Sequence, residues 1–155
     1  KIINKQKYCI NEESDSSKYK ILTMIDKNFE QIIDYLQKRY PDEEITQLLT
    51  DRYKNKTRMS ELLDKTKNIA FSKNKGEEVS LCLEDENLDI NVLMFIAIHE
   101  LSHIGTDEIG HTDKFWDNMK FLLERAVELD MYIPQDYSKF PVTFCGYEIK
   151  SSPLF

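Results

Sequence analysis

Apolar residues in the first third of the chain recur every three or four positions, which is the period of a helix with one buried face. This stripe consists of Ile21, Ile25, Phe29, Ile32 and Leu36. We predict a helix over residues 17–40, which ends at Pro41 because a proline disfavours the helical conformation of the residue before it. A shorter helix is predicted over residues 42–53, with its apolar side formed by Ile45, Leu48 and Leu49.

Two later segments have the pattern of a strand. Val79, Leu81 and Leu83 alternate with less apolar residues, which is the period of a half-buried strand. This strand is either an ordinary inner strand or an exposed edge that pairs with an extended peptide. The β-rich residues 142–149 predict a single closing strand.

An almost entirely apolar run covers residues 90–98 and predicts a buried helix. Asn87 or Asp89 is expected to cap its start. Thr112 is expected to cap a further helix over residues 113–131, whose apolar residues again recur at helical spacing. Together, these helices and strands predict an α+β fold.

With 155 residues, of which 41% are hydrophobic, the chain is long enough to bury a core. We expect one domain over residues 1–155, with residues 1–16 as an extended or loose lead-in and residues 137–155 as a β-rich tail. No run of eighteen apolar residues is present, so no transmembrane helix is expected. The polar first residues do not resemble a secretory signal.

The three cysteines, Cys9, Cys82 and Cys145, are odd in number and widely spaced. This spacing argues against a disulfide framework and predicts free or buried thiols. Free thiols fit a reducing compartment, such as the nucleus or cytoplasm, and not a secreted protein.

The net charge of −7 argues against nucleic-acid binding by the whole surface. The charge is uneven, however, because residues 51–75 contain eight basic and three acidic residues, a local charge of +5. The basic residues are Arg52, Lys54, Lys56, Arg58, Lys65, Lys67, Lys73 and Lys75. They form either a patch that faces DNA or an ordinary solvated segment. Within it, Met59 and residues 62–63 indicate a helical turn, whereas residues 69–71 indicate a strand.

The candidate chemistry lies in the HExxH pattern of residues 99–103, His-Glu-Leu-Ser-His. Residues four apart lie on one face of a helix, so His99 and His103 can direct their imidazoles to one point. Glu100 lies one residue further round the helix, where it can hold a water without binding the metal itself. The alternative is an amphipathic surface helix with two exposed histidines.

A catalytic zinc takes three protein ligands and keeps a fourth position for water. His111 is the leading candidate for the third ligand, because two glycines between it and His103 allow the chain to reverse. Glu124 and Glu128, four apart on the next predicted helix, are rival candidates. An exposed loop histidine and an exposed pair of helical glutamates are the alternatives for these residues.

These motifs resemble the WLM and SprT-like (Spartan) branch of the zincin metalloproteases. The likeness rests on Ser-Leu-Cys-Leu at residues 80–83, Ile-His-Glu-Leu-Ser-His at residues 98–103 and His-Thr-Asp-Lys-Phe-Trp at residues 111–116. It covers residues 79–123, which is under a third of the chain. The spacer of seven residues between the second and third histidines is longer than is usual in WLM domains.

The resemblance implies a zincin-like fold, in which a small sheet packs on the metal-binding helix, and a zinc metalloprotease activity. His99, His103 and His111 would bind one catalytic Zn²⁺, and Glu100 would be the catalytic base. It further implies an intracellular protease that degrades proteins crosslinked to DNA. Single- or double-stranded DNA would be its activator, and ubiquitin-like modifiers would act through regions outside this chain.

A tyrosine often helps to stabilise the oxyanion in such sites. The candidates for this role are Tyr132, Tyr137 and Tyr147. The sequence contains no feature that chooses among them.

Two other classes of function remain open, and neither involves a membrane. A zinc endoribonuclease also uses three histidines, but such sites generally lack a glutamate directly after the first one, so Glu100 argues against it. A catalytically degenerate zincin could serve as a DNA- or protein-binding module. The intact His99, Glu100 and His103 argue against that class.

Overall fold

The part of the chain that the structure describes has an α+β fold, with four helices, a five-stranded sheet and a small hairpin that follows them. The computed structural model describes residues 2–3, 8–9, 16–53, 57–61, 70–73, 78–84 and 88–155. For residues 2–3, 8–9, 16, 58 and 70–73 it describes the backbone alone.

The helices agree with the apolar periodicity of the sequence. Helix α1 spans Ser16–Arg39, α2 spans Glu44–Arg52, α3 spans Ile90–Ile104 and α4 spans Asp113–Glu128. All four predicted helices are confirmed, although α4 ends three residues earlier than expected. Within the described part of the chain, none of the helices has both the length and the apolar character needed to span a bilayer.

The sheet has the strand order β1-β2-β3-β5-β4. Its strands are β1 (Ile2–Ile3), β2 (Tyr8–Cys9), β3 (Arg58–Glu61), β4 (Ala70–Lys73) and β5 (Glu78–Leu81). Strands β2, β3 and β5 are parallel, whereas β1 and β4 run antiparallel to their neighbours. The predicted loose lead-in therefore contributes two strands. Each is only two residues long, too short for an alternating pattern to be recognised.

The sheet decides one alternative that the sequence left open and corrects one expectation about the strands. Strand β5 lies between β3 and β4, so it is an inner strand, and among the described strands β4 is the last one on that side of the sheet. Met59 lies in β3 and not in a helical turn, whereas the strand indicated near Ala70 is confirmed by β4. Residues 62–63 lie outside the described part of the chain. Pairing between distant segments decides these points, and local periodicity does not report it.

Helix α3 lies at the centre of the fold, where it contacts α1, α2, α4 and β4. Residues 92–98 of this helix are all buried. The apolar face of α1, including Ile25, Phe29 and Ile32, is fully buried as well. Because close packing surrounds it, α3 is a rigid support for side chains at its C-terminal end.

The predicted closing strand is a hairpin of β6 (Val142–Phe144) and β7 (Tyr147–Ile149), which pair with one another as a separate sheet. Cys145 and Gly146 form its turn, with φ angles of +48° and +84°. Positive φ at both central residues is typical of the tight turns that join antiparallel strands. One continuous β-rich pattern therefore folds as two strands.

The tip of the hairpin is joined to the sheet by a disulfide between Cys82 and Cys145. The prediction of free thiols is wrong for these two residues, and the side chain of Cys9 lies outside the described residues. The two cysteines are 63 residues apart, so only the three-dimensional position of the hairpin reveals the pair. The cysteines consequently no longer argue for a reducing compartment.

Candidate metal centre

Helix α3 is positioned by a polar cap at its start and by a close-packed glycine at its end. The Asp89 carboxylate accepts hydrogen bonds from the backbone N–H groups of Asn91 (2.9 Å) and Val92 (3.2 Å). These bonds satisfy two amides that have no partner within the helix. At the other end, a Cβ atom on Gly105 would lie 2.8 Å from Ile45 Cγ1. Helix α2 can approach the end of α3 this closely because Gly105 has no side chain.

Residues 105–111, here called the metal loop, connect α3 to α4. The Thr106 hydroxyl donates to the Ser102 carbonyl oxygen of α3 (2.6 Å) and accepts from the Asn118 amide of α4 (2.9 Å). The Thr112 hydroxyl accepts from the backbone N–H of Phe115 (3.2 Å), which confirms Thr112 as the cap of α4. The first residues of the metal loop are therefore tied to both helices.

The loop brings the third histidine to the other two. One ring nitrogen from each of His99, His103 and His111 can be chosen so that all three lie within 4.8 Å of one another. The Nε2 atoms of His99 and His111 are 3.1 Å apart. The ring of His103 lies 5.0 Å from each of the other two rings, measured between centroids. His99 and His103 are half-buried and His111 is exposed, so the cluster opens to solvent on one side.

This set of donors fits a transition-metal ion such as zinc. Zinc binds imidazole nitrogen at about 2.0–2.1 Å, so two nitrogen ligands of a tetrahedral site lie about 3.3 Å apart. The 3.1 Å separation between His99 and His111 is close to that value. Three imidazoles with an open side also match a site that keeps one position for water or substrate.

The electrostatics of the cluster keep its innermost imidazole neutral. Burial, together with the neighbouring His103 and His111, lowers the pKa of His99 to about 3. A neutral imidazole retains the lone pair that a metal ion requires. His99 is consequently available as a ligand throughout the ordinary range of pH.

Glu100 places a buried carboxylate beside the cluster. Its side chain is almost completely buried, and its Oε2 atom lies 3.9 Å from Nε2 of His99. A carboxylate at this distance is close enough to reach a water held at the open side of the three imidazoles. The helix thus presents two potential ligands and one potential base at the same place.

Two aromatic side chains at the start of α4 enclose the histidines. The Phe115 ring lies 4.3 Å from the ring of His103 and 4.9 Å from that of His99, measured between centroids. The Trp116 ring lies 5.4 Å from that of His111, and Trp116 remains partly exposed. These contacts limit the rotation of the imidazoles and exclude water from one side of the cluster.

The three candidate tyrosines are not brought to this cluster. Tyr132 and Tyr137 are buried, with their hydroxyl groups 3.1 Å apart and their rings packed on Phe95. Burial raises the pKa of both phenols. Tyr147 lies exposed on β7. Among the contacts of the described residues, none joins these tyrosines to the three histidines.

The rival glutamates lie on α4, outside the group of potential metal ligands found among the described residues. Glu128 accepts a hydrogen bond from Tyr35 (2.9 Å) and forms an ion pair with Arg125 (3.0 Å). Glu124 is half-buried on the same helix. Glu128 is thus engaged in contacts between α4 and α1.

The structure describes the side chain of one of the eight basic residues of segment 51–75. Lys54, Lys56, Lys65, Lys67 and Lys75 lie outside the described residues, and for Arg58 and Lys73 only the backbone is described. The side chain of Arg52, the remaining basic residue, points to the metal loop. It donates to the carbonyl oxygen of Ile104 (3.2 Å) and to the Asp107 carboxylate (2.9 Å).

Fold and site together define an α+β protein with a cluster of three histidines on one helix and the loop that follows it. The crystal structure of a Wss1 mutant from Saccharomyces cerevisiae has a similar fold, with a TM-score of 0.54. The sequence identity is 19%, and the match covers 82% of this chain and 95% of that chain. No protein-family model matches the chain.

The curated relatives are uncharacterized viral proteins. One from Acanthamoeba polyphaga mimivirus is 28% identical over 160 residues, which cover 99% of this chain and 81% of that protein. One from Invertebrate iridescent virus 6 is 38% identical over 69 residues, and one from Invertebrate iridescent virus 3 is 38% identical over 72 residues. These two matches cover 38% and 44% of the viral proteins, less than half of their length.

Sequence reasoning missed the side chains that restrain the metal loop. The sequence groups Arg52 with the other basic residues of segment 51–75, and no sequence signal points to Asn118. Both act across long sequence distances, 55 residues between Arg52 and Asp107 and 12 residues between Asn118 and Thr106. Neither stands in a local motif that could have identified it.

Proposed function

We propose that the protein is a zinc-dependent endopeptidase of the zincin type. The observation that carries this proposal is the convergence of His99, His103 and His111 beside the buried carboxylate of Glu100. The sequence resemblance to WLM and SprT-like proteases and the fold likeness to Wss1 support it. Three imidazoles suit many metalloproteins, whereas the adjoining carboxylate is the group that peptide hydrolysis requires in addition.

In this proposal the residues of the chain divide the work of hydrolysis. His99, His103 and His111 would hold the zinc, which would supply a water with a pKa of about 7 and polarisation of the scissile carbonyl. The Glu100 carboxylate accepts a proton from the attacking water and delivers it to the leaving amine. Phe115 and Trp116 hold the imidazoles in place and keep bulk water from one side of the reaction.

An extended substrate is proposed to lie along β4. This strand is the last of the described sheet and contacts α3, whose C-terminal half contains the HExxH residues. Main-chain hydrogen bonds to such a strand would hold a peptide independently of its sequence. The sequence leaves this role open for β5, which lies inside the sheet, so we propose β4 for it instead.

The natural substrates are proposed to be proteins bound or crosslinked to DNA, with single- or double-stranded DNA as the activator. The resemblance to SprT-like proteases supports this step, and the charge of +5 in residues 51–75 supplies a candidate surface. An intracellular location and regulation by ubiquitin-like modifiers belong to the same proposal. Arg52 contributes less to such a surface than its charge indicates, because its guanidinium group is engaged by the metal loop.

A measurement of zinc content paired with a cleavage assay tests the proposal. The wild-type chain, Glu100→Gln and Glu124→Gln are purified and supplied with a protein crosslinked to a DNA oligonucleotide, with and without additional DNA. We expect one zinc per chain in all three proteins. Cleavage should fall by about 100-fold or more in Glu100→Gln, because the general base is lost. Glu124→Gln is the matched control and should retain both zinc and activity.

The other outcomes separate the remaining classes of function. Cleavage that does not depend on DNA would keep the peptidase and remove the link to crosslinked substrates. Zinc without turnover on crosslinked, unfolded or self substrates would favour a degenerate binding module, and metal-dependent cleavage of RNA would favour an endoribonuclease. Absence of stoichiometric zinc after metal-replete purification would refute the metal site itself.

A further inference from the structure

The metal loop receives a guanidinium group from a part of the chain far away in sequence. We propose that Arg52 is a positioning residue of the metal site, which holds the metal loop against the end of α3 and thereby preplaces His111. The inference rests on the metal binding in the proposed function, but it does not depend on peptidase activity.

The side chain of Arg52 bridges the two segments that must be kept together. Its Nη1 donates to the carbonyl oxygen of Ile104, the last residue of α3, at 3.2 Å. Its Nη2 donates to the carboxylate of Asp107, in the metal loop, at 2.9 Å. One planar group thus contacts the helix that contains His103 and the loop that leads to His111. A lysine ammonium has no such pair of parallel donors.

The contact with Ile104 satisfies a specific need of the helix. The last carbonyl groups of a helix have no partner within it, and the aligned peptide dipoles give that end a partial negative charge. The cationic donor of Arg52 supplies both a hydrogen bond and an opposite charge there. The end of α3, one residue after His103, is therefore fixed at the point where the chain leaves the helix.

Helix α2, which contains Arg52, is held in place by buried contacts on both sides of this residue. Ile45 and Leu49 of α2 are buried directly against Gly105, where any added Cβ would be too close. Tyr53, the residue after Arg52, is fully buried and donates a hydrogen bond to Asp26 at 2.5 Å. These contacts fix the end of α2, and therefore the backbone position from which the Arg52 side chain reaches the metal loop.

The Arg52 contact extends the restraint of the metal loop towards the exposed third ligand. Asn118 and the end of α3 hold Thr106, whereas residues 107–111 are all exposed. The side chain of Asp107 is 63% exposed, so its ion pair adds little to the stability of the fold. Its importance is geometrical, because it restricts the segment that must place the His111 imidazole.

Zinc affinity, measured by competition with a chromophoric chelator, tests this role. Loss of side chains that orient metal ligands typically weakens metal binding by about 10- to 100-fold, so we expect about tenfold weaker binding in Arg52→Met. Arg52→Lys should recover part of the affinity, because it keeps the charge but not the paired donors. Arg39→Met is the matched control, since Arg39 lies at the end of α1 over the ring of Tyr35, and its affinity should equal that of the wild type.

The background of His111→Ala distinguishes positioning from general stabilisation. If Arg52 acts through the loop that contains His111, Arg52→Met should weaken zinc binding in the wild type and have no effect in His111→Ala. An equal fold-change in both backgrounds, or unchanged affinity in Arg52→Met, would overturn the inference while leaving the metal site intact. A wild type that binds no zinc would refute the proposed function itself.

A second variant covers the case in which Arg52→Met does not fold. Asp107→Ala removes both the ion pair and the oxygen that accepts from Arg52, and it does so at a side chain that is 63% exposed, where an ion pair adds little to stability. We expect about threefold weaker zinc binding, a smaller effect because the contact of Arg52 with Ile104 remains. Wild-type affinity in Asp107→Ala would contradict a role for Arg52 in holding the loop.

Discussion

Replacing Gly105 with alanine tests the contact on which the position of the metal loop depends. The added Cβ would lie 2.8 Å from Ile45 Cγ1 and 3.2 and 3.3 Å from two atoms of Leu49. Both neighbours are buried, so neither side chain can move into solvent to make room. The φ angle of Gly105 is −84°, which alanine accepts without strain, so the close contact alone decides the effect.

Two opposing effects determine the magnitude. Alanine restricts the unfolded chain more than glycine, which would stabilise the protein by about 0.4–1 kcal/mol. Overpacking of a buried contact costs about 1–3 kcal/mol. The second effect is larger, so we expect a net loss of about 1–2 kcal/mol in the free energy of unfolding. For a domain of this size, the melting temperature should fall by about 3–6 °C.

Chemical denaturation of a double-mutant cycle with Ile45→Ala measures this effect. Ile45→Ala removes Cγ1 and costs about 2–5 kcal/mol by itself. In that background Gly105→Ala should cost clearly less, because the 2.8 Å contact has gone and the space left by Ile45 lets Leu49 shift away from the new Cβ. Gly110→Ala is the control: it has open space but a φ angle of +86°, so its cost should be the same in both backgrounds. Equal destabilisation by Gly105→Ala in both backgrounds would refute the packing argument.

Two further predictions concern the disulfide and the metal. Cys82→Ala should lower the free energy of unfolding by about 4 kcal/mol, because the bridge links residues 63 positions apart. A reductant should lower the free energy of unfolding of the wild type by a similar amount and leave that of the variant unchanged. Unfolding curves that do not respond to the reductant would argue against the pairing. Removal of zinc by a chelator should lower the wild-type melting temperature, since a ligand at 100 times its dissociation constant stabilises by about 2.7 kcal/mol. His111→Ala should show a smaller shift, and an equal shift would exclude His111 as a ligand.

The sequence predicted which three histidines come together, because that part of the problem is local. The spacing of His99 and His103 places them on one face of any helix, and the apolar run before them predicts that the helix is buried. His111 follows within a short loop that contains two glycines, and Thr112 signals the start of the next helix. Each of these signals lies within a few residues of the feature it predicts.

The features that sequence reasoning missed depend on contacts between distant segments. The Cys82–Cys145 pair and the contacts of Arg52 both join parts of the chain that are far apart. The tyrosines illustrate the same limit. A phenol hydroxyl is suited to stabilising an oxyanion, but Tyr132 and Tyr137 pack on Phe95, which lies in α3 four residues before His99.

The position of His111 depends both on the spacer that follows His103 and on contacts with residues far away in sequence. Although seven residues separate His103 from His111, their rings lie 5.0 Å apart. Residues 107–110 form an exposed excursion, and Gly110, with its φ angle of +86°, allows the chain to turn back. Helix α4 begins two residues after His111, and Arg52 holds the other side of the metal loop. A third histidine can therefore reach the other two across a longer spacer when both ends of the metal loop are anchored. Its position then depends on residues outside the HExxH motif.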